Sequence, residues 1–384
     1  MPRNGTGPQP PLITPGLLLK QFWLDIYGKE VQSAATYSYL WMADQLGHVC
    51  IGIILDFALV ALASLVWGAG FLSEGAGFAG AAAIVSAWEA SAYRSDAREA
   101  DGPFPLDRRL LRSNAVIAAS YMGLGAALGW AFHLRLCLAL VISVALAALA
   151  VALAPFWLRQ KIIWQKAGLP YLCRLADAPR DMTRPAAAAL QRVIERAVPP
   201  EGGPRQIILA GPVGSGRTSL ASGVGTEFAF RARTVRYISL DRLIEFAAVY
   251  DSSVGPSSLG DDSGPANIGY WPWPEAQVVI IDDIGPVIEL GSGNVGYDQF
   301  AGLLAGPLRV ARDELAVCHT VWILGDLEKG GQGGRELQRF TDLLATYCRS
   351  EEPPLAILLT AIGTVAAIHE TTASDPDLSI HPVV

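Results

Sequence analysis

The sequence is short of cationic charge, of paired cysteines and of clustered histidines, and each shortage removes a class of protein. Lysine and arginine number 29 against 36 aspartates and glutamates, a formal charge of −7. That balance leaves no global positive field for a polyanion, which argues against nucleic acid as a partner. Cys50, Cys137, Cys173, Cys318 and Cys348 stand apart, with no C-x-x-C spacing. This argues against a zinc site or a disulfide framework and fits a reducing compartment. His48, His133, His319, His369 and His381 form no H-E-x-x-H, which excludes that metalloprotease signature. Residues 1–15 are rich in proline and glycine and have no apolar core, so they read as a disordered lead rather than a signal peptide. The first long apolar run begins near His48, too deep for a cleaved signal, and it is expected to stay in the mature protein.

Hydrophobicity, by contrast, is in excess. Apolar residues make up 51% of the 384-residue chain, and mean hydropathy is +0.33, high for a wholly soluble protein. The excess lies between about residues 49 and 158, in four segments. They are Val49 to about Leu72, about Ala76 to Trp88, about Asn114 to Phe132, and about Leu136 to Trp157. The first, about 24 residues at 1.5 Å each, reaches about 36 Å, enough to cross a bilayer with some tilt. Leu72-Ser73-Glu74-Gly75 and His133-Leu134-Arg135 read as tight connections, which makes two helical hairpins. Gly125-Ala126-Ala127-Leu128-Gly129 is a G-x-x-x-G, a spacing that lets helix backbones approach closely in lipid. Asp56 and Glu89 are acids in or near these segments, without an evident basic partner. Upstream, residues 16–48 read as an amphipathic helix rich in Trp and Tyr, lying at the lipid headgroups or packed on the protein itself.

Charge placement orients the spans. Arg94, Arg98, Arg108, Arg109 and Arg112 lie in the central loop, and Arg159, Lys161 and Lys166 follow the fourth segment. The tight connections carry only Arg135. Positively charged loops stay in the cytoplasm, so both termini and the central loop are expected there. The expected location is the plasma (bacterial inner) membrane, multi-pass, in contact with lipid. The plan is residues 1–15, a helix over 16–48, a membrane region over 49–158, a juxtamembrane connector over 159–204, an α/β domain over 205–363 and a tail over 364–384.

From Arg205 onward the pattern alternates strand and helix. Strands are expected at Gln206–Ala210, Thr234–Leu240, Gln277–Ile281, Thr320–Leu324 and Leu355–Thr360. Continuous Ile, Val and Leu runs with helical crossovers mean a parallel sheet covered on both faces. Between the first strand and its helix lies Gly211-Pro212-Val213-Gly214-Ser215-Gly216-Arg217-Thr218-Ser219. Its spacing is that of a phosphate-cradling P-loop, G-x-x-x-x-G-K-[ST], with Arg217 in the lysine position. Glycines let successive N–H groups point into one concavity, and the helix N-terminus adds partial positive charge. The ligand class is a nucleoside triphosphate, with Thr218 placed to hold Mg²⁺. About 65 residues on, Val278-Val279-Ile280-Ile281-Asp282-Asp283 ends an apolar run in acids at the sheet edge. That is a Walker-B arrangement, with Asp282 in the Mg²⁺ shell and Asp283 orienting or deprotonating water.

The loop together with Ile280-Ile281-Asp282-Asp283-Ile284-Gly285 resembles the AAA+ ATPases, particularly the helicase-loader and transposase-helper branch, over about residues 185–363. The resemblance implies an α/β P-loop NTPase domain of sheet order 5-1-4-3-2 beside the all-α membrane domain. It also implies ATP and Mg²⁺ as ligands and a homo-oligomeric ring or filament with nucleotide between subunits. An arginine acting in trans would be Arg335 or Arg339, just after Gly330-Gly331-Gln332-Gly333-Gly334. The chain departs from the family at Arg217, at Asp283 where many members carry glutamate, and in having few residues after the fifth strand for a helical lid.

Residues 251–275 form a long Ser, Gly and Asp loop ending in Tyr270-Trp271-Pro272-Trp273-Pro274, either a partner-docking surface or packing at the domain edge. Two functions remain. One is a membrane-anchored NTPase that assembles and works on a protein client. The other is a nucleotide-sensing scaffold or pore-like membrane effector that hydrolyses little or nothing.

Overall fold

The structure is a computed structural model. It describes residues 37–98, 108–134, 136–175, 184–195, 206–251, 270–284, 296–325, 333–350, 352–359 and 365–367, with Thr14, Gly16, Lys20, Phe104 and Leu327. The chain divides into two compact units, one centred on Leu12–Gln165 and the other on Lys166–Asp262 and Gly269–Val384.

The first unit is helical. Its elements are α1 (Tyr37–Trp67), α2 (Phe71–Arg98), α3 (Arg108–Phe132) and α4 (Leu136–Gln165). Among the described residues, three stretches are long and apolar enough to cross a membrane, at Trp41–Trp67, Phe71–Ser95 and Leu111–Phe132. Within α4 the described residues hold a further apolar stretch, Cys137–Ala150. Large apolar side chains such as Leu65, Val66 and Leu72 face outward, the reverse of a soluble bundle.

Two expected boundaries move. Tyr37–His48 is no separate interfacial helix but the first part of α1, because nothing between Tyr37 and Val49 breaks the helix; most of residues 16–36 lie outside the described residues. The first tight connection falls at Gly68–Gly70, not at Leu72–Gly75. Gly68 sits at φ 76°, the left-handed conformation that ends a helix. Ser73 Oγ donates to Gly70 O at 2.8 Å and accepts from Gly70 N at 3.1 Å, which starts α2.

Close packing of α1 on α3 rests on glycine. A Cβ on Gly52 would lie 2.0 Å from Met122 O, and one on Gly125 would lie 2.0 Å from Val49 O. Both obstacles are backbone, which cannot swing aside. The G-x-x-x-G therefore serves contact within the chain: Gly125 meets α1 backbone, and Gly129 leaves room for the Asp56 carboxylate. Gly125→Leu is expected to separate α1 from α3 and lower the thermal midpoint of the detergent-solubilised protein by well over 5 °C, whereas Gly123→Leu, where a Cβ meets open space, is tolerated. A thermal shift series checks the pair. Asp56 also gains a basic partner invisible in sequence, since His133 Nε2 lies 3.6 Å from its Oδ2.

The second unit is α/β. Its elements are α5 (Arg184–Glu195), β1 (Gln206–Ala210), α6 (Arg217–Phe230), β2 (Val235–Ser239), α7 (Leu240–Asp251) and β3 (Val278–Asp282), then α8 (Tyr297–Ala305), α9 (Arg312–Leu315), β4 (His319–Ile323), α10 (Gly333–Cys348), β5 (Leu355–Leu359) and β6 (Val365–Ala367). The sheet order is β2-β3-β4-β1-β5-β6. The pairs among β1 to β5 are parallel, and their order is the expected 5-1-4-3-2 read from the other edge. The departure is β6, an antiparallel strand added beside β5.

Alternation along each strand fills both faces. Ile208 and Ala210 of β1, Val279 and Ile281 of β3 and Trp322 of β4 pack with Leu243 of α7, Phe300 of α8 and Phe340 of α10. The other face, with buried Ile207, Leu209 and Ile280, is covered by α6. From Leu220 to Phe230 every residue of α6 is buried, because residues 166–175 fold over its outer side. Gly223 and Gly225 leave the space that Leu175 and Leu169 fill. Glu227 fastens this layer, accepting from Arg174 Nε at 2.8 Å and Arg231 Nη1 at 2.6 Å. Charges buried this far persist only when paired.

Candidate functional site

The central strand β1, flanked by β4 and β5, delivers residues 211–216 to the carboxyl edge of the sheet, where ligands of open α/β folds bind. The turn is set by glycine. Gly211 has φ 153°, and a Cβ there would lie 2.5 Å from Leu359 O, so no other residue fits. Gly214 and Gly216 both have φ 83°, and Gly216 is the N-cap of α6. Ser215 N donates to Pro212 O at 3.2 Å, and Leu220 N donates to Gly216 O at 2.9 Å. The N–H groups of the first helical turn have no acceptor within the helix, and they carry the positive end of its dipole. Val213 stands at the exposed tip, and Ser215 is buried beneath it with no partner for its hydroxyl among the described residues.

Thr218 and Asp282 meet across the floor. Thr218 Oγ1 donates to Asp282 Oδ2 at 3.0 Å. The same carboxylate oxygen accepts from the Tyr237 hydroxyl, and Asp282 Oδ1 accepts from Asp283 N at 2.8 Å. Burial and the Asp282 charge push the Tyr237 phenol well above its ordinary range, so it stays a donor. Asp282 is almost wholly buried, while Asp283 is exposed. Asp283 adopts φ 55°, a left-handed conformation that aspartate tolerates better than most residues. Its acidity is weakened by partial desolvation and then by the charges of Asp282 and Asp241.

Thr218 and Asp282 supply two hard oxygens, which suits Mg²⁺. Among the described residues no group of three His, Cys, Asp or Glu side chains converges on a metal position. An ion held here would take its other ligands from water and phosphate, as Mg²⁺ does in phosphoryl-transfer sites.

Arg217 takes a course not evident from its motif position. Its Nη1 donates to the carbonyl of Leu324, the residue just beyond β4. Leu324 N in turn donates to Leu209 O at 2.8 Å, so one arm of the guanidinium is tied to the central strands. Ser219 pairs with the hydroxyl of Tyr171 at 2.7 Å. Arg335 and Arg339 are exposed on α10, and Arg339 stacks over Tyr297 of α8 at 4.0 Å. Neither makes a hydrogen bond or ion pair with Gly211–Ser219 among the described residues.

The aromatic run before β3 is no projecting surface. Trp273 is 3% exposed, Tyr270 lies under Arg236 at 4.4 Å and Trp271 under Lys166 at 4.8 Å. Tyr237 and Tyr171 were the participants that sequence reasoning missed. Tyr237 carried a faint signal, a hydroxyl-bearing side chain two residues before the end of β2, near the edge where β3 ends. Tyr171 carried none, since it arrives only because residues 166–175 fold back on α6.

No family model matches the chain, and no curated protein matches it. Among solved structures, the chain is loosely similar to the DnaC helicase loader, at 14% identity and a TM-score of 0.30, over 51% of this chain and 97% of that one.

Proposed function

We propose that this protein is a membrane-anchored, AAA+-like nucleoside triphosphatase that binds ATP with Mg²⁺ on the cytoplasmic face and works on a partner protein as a homo-oligomer. The observation that carries the reading is the Thr218–Asp282 contact at 3.0 Å, directly behind a loop whose three glycines hold positive φ. A hydroxyl and a carboxylate brought together at the start of a phosphate-ready helix have little other use. The anchor is supported by three long apolar helices with outward apolar faces. The arginine-rich central loop favours the cytoplasmic orientation.

In this reading the loop N–H groups and the α6 N-terminus hold the phosphates. Thr218 and Asp282 would hold Mg²⁺, whose chemistry is to neutralise charge on the phosphate oxygens. Tyr237 keeps the Asp282 carboxylate in place. Asp283, exposed beside it, orients water and takes its proton. Arg335 or Arg339, exposed on α10, is the candidate to reach a neighbouring subunit's nucleotide.

A second reading has its own observation. The tie of Arg217 to Leu324 O restrains the one cation of the loop. A restrained cation favours binding over turnover, as in a nucleotide-sensing scaffold or membrane effector.

The test is equilibrium binding of ATP to the purified full chain, with Mg²⁺ and with EDTA. Wild type is expected to bind in a Mg²⁺-dependent manner, and Thr218→Ala to lose that dependence and about tenfold in affinity, the worth of one hydrogen bond to a charged group. A chain that binds no ATP in either condition rules out both readings.

A further inference from the structure

Residues 166–175 follow α4 directly in the chain and fold over α6, the helix that the phosphate loop opens. They are fastened at both ends. At the start, Trp271 N donates to Lys166 O at 3.0 Å and Tyr237 N donates to Ala167 O at 2.8 Å. At the finish, Arg174 Nε donates to Glu227 Oε1 at 2.8 Å, and Leu175 fills the space over Gly223. Between these fastenings Pro170, Tyr171 and Leu172 stand exposed. The Tyr171 hydroxyl reaches from this exposed middle to Ser219 Oγ at 2.7 Å.

Ser219 immediately follows Thr218, in the first turn of α6, where N–H groups without helical acceptors suit an anion. A hydroxyl carries one hydrogen to give and an oxygen that accepts. In the Tyr171–Ser219 pair one hydrogen is spent between the two oxygens, and the other is left to give. If Tyr171 donates to Ser219, Ser219 can donate to a phosphate oxygen. If Ser219 donates to Tyr171, the phenol itself can. Both orders place Tyr171 in the hydrogen-bond chain that ends on the phosphate. A second link runs beside the first. Tyr237, whose N–H holds Ala167, gives its own hydroxyl to Asp282, the carboxylate that contacts Thr218.

We propose that Tyr171 is a nucleotide-binding residue, and that residues 166–175 form a strap which bound nucleotide tightens onto α6. The proposal rests on the nucleotide reading given above. With phosphate in place, the exposed middle of the strap is held by hydrogen bonds that end on a charge. Such a chain is stronger than the neutral pair of hydroxyls alone. The strap begins at Lys166, where α4 has just ended at Gln165. Nucleotide occupancy therefore stiffens the chain segment that joins the α/β unit to the apolar helices.

Cys173 lies within the strap and is partly exposed, so its reactivity reports on the strap. The full chain, purified in mild detergent, is treated with a maleimide, with and without Mg²⁺ and the non-hydrolysable analogue adenylyl imidodiphosphate. Labelling at Cys173 is followed by peptide mass spectrometry, and analogue binding is measured on the same preparation. Buried Cys318 and Cys348 stay unlabelled while the domain is folded. Saturating analogue is expected to slow Cys173 labelling in wild type by about fivefold or more, as local opening is suppressed. Tyr171→Phe keeps the ring and removes the hydroxyl. It is expected to lose affinity by about three- to tenfold, the worth of one hydrogen bond, and to label at one rate with or without saturating analogue. Ser219→Ala breaks the same pair from the other side and is expected to do the same. Analogue that binds wild type yet leaves its Cys173 labelling unchanged overturns the strap alone. A Tyr171→Phe protein whose labelling is still slowed overturns the role of Tyr171. Wild type that binds no analogue overturns the nucleotide reading, and the strap with it.

Discussion

Arg217→Lys is expected to raise the turnover of ATP about tenfold or more, with affinity changed by less than about threefold, while Arg217→Ala lowers affinity by about 10- to 100-fold. Both follow from the tie between the guanidinium and Leu324 O. Guanidinium presents five donors in a rigid plane, so it can hold a protein carbonyl with one arm and a phosphate with another. That suits the ground state. As the terminal phosphoryl moves toward its acceptor, a cation clamped to β4 cannot follow it. Lysine carries the same charge on a flexible stem, and about 1.4 kcal/mol of added transition-state contact is worth a factor of ten. Alanine loses a charged hydrogen-bonding partner outright, worth about 1.5–3 kcal/mol. Steady-state hydrolysis and equilibrium binding on the three proteins separate the outcomes. If wild type and Arg217→Lys both turn over rapidly at the same rate, the tether does not limit chemistry and the sensing reading loses its support.

Asp283→Asn is expected to lower kcat by about 10²–10⁴, the usual contribution of a positioned general base, with ATP affinity nearly unchanged. Asparagine is the informative replacement because it accepts φ 55° as readily as aspartate, so the turn after β3 survives. The pH dependence is specific. Partial desolvation and the neighbouring charges of Asp282 and Asp241 raise the Asp283 pKa above its ordinary value. A base must be ionised, so activity falls on the acid side at a higher pH than an isolated aspartate would give. Asp241, held low chiefly by its hydrogen bond with Ser239, stays ionised through that range and keeps up its push. Asp241→Asn should therefore move the acid limb of kcat/KM toward lower pH. An unchanged kcat in Asp283→Asn would remove Asp283 from the chemistry.

Short-range constraints made part of this legible in sequence. The spacing of Gly211, Gly214 and Gly216 has meaning because each position needs a φ that only glycine adopts freely, and the structure puts all three there. The parallel sheet followed from unbroken apolar runs, and its order from the resemblance. Other features depend on chain segments meeting across long separations. Asp56 looked partnerless because His133 lies far along the chain, just past the end of α3. The first helical turn was misplaced among closely spaced glycines, of which Gly68 and Gly70 have positive φ and Gly75 does not. Sequence left Tyr270 and Trp271 open between a docking surface and packing at the domain edge, and the contacts with Arg236 and Lys166 decide for packing. Arg217 was visible as a departure, but its tether to Leu324 was not, since β4 comes beside β1 only in the fold.

The sheet's margins limit how copies of this protein meet. Beside β5 the margin is finished by β6, a short antiparallel strand. At the opposite margin Tyr237 N, on β2, already donates to Ala167 O at 2.8 Å. Bare strand margins are templates that recruit other chains through their backbones. With one margin ending in a three-residue strand and the other partly engaged, the sheet is a poor seed for fibre-like growth, and recognition between copies falls to side chains, where single substitutions can tune or abolish it.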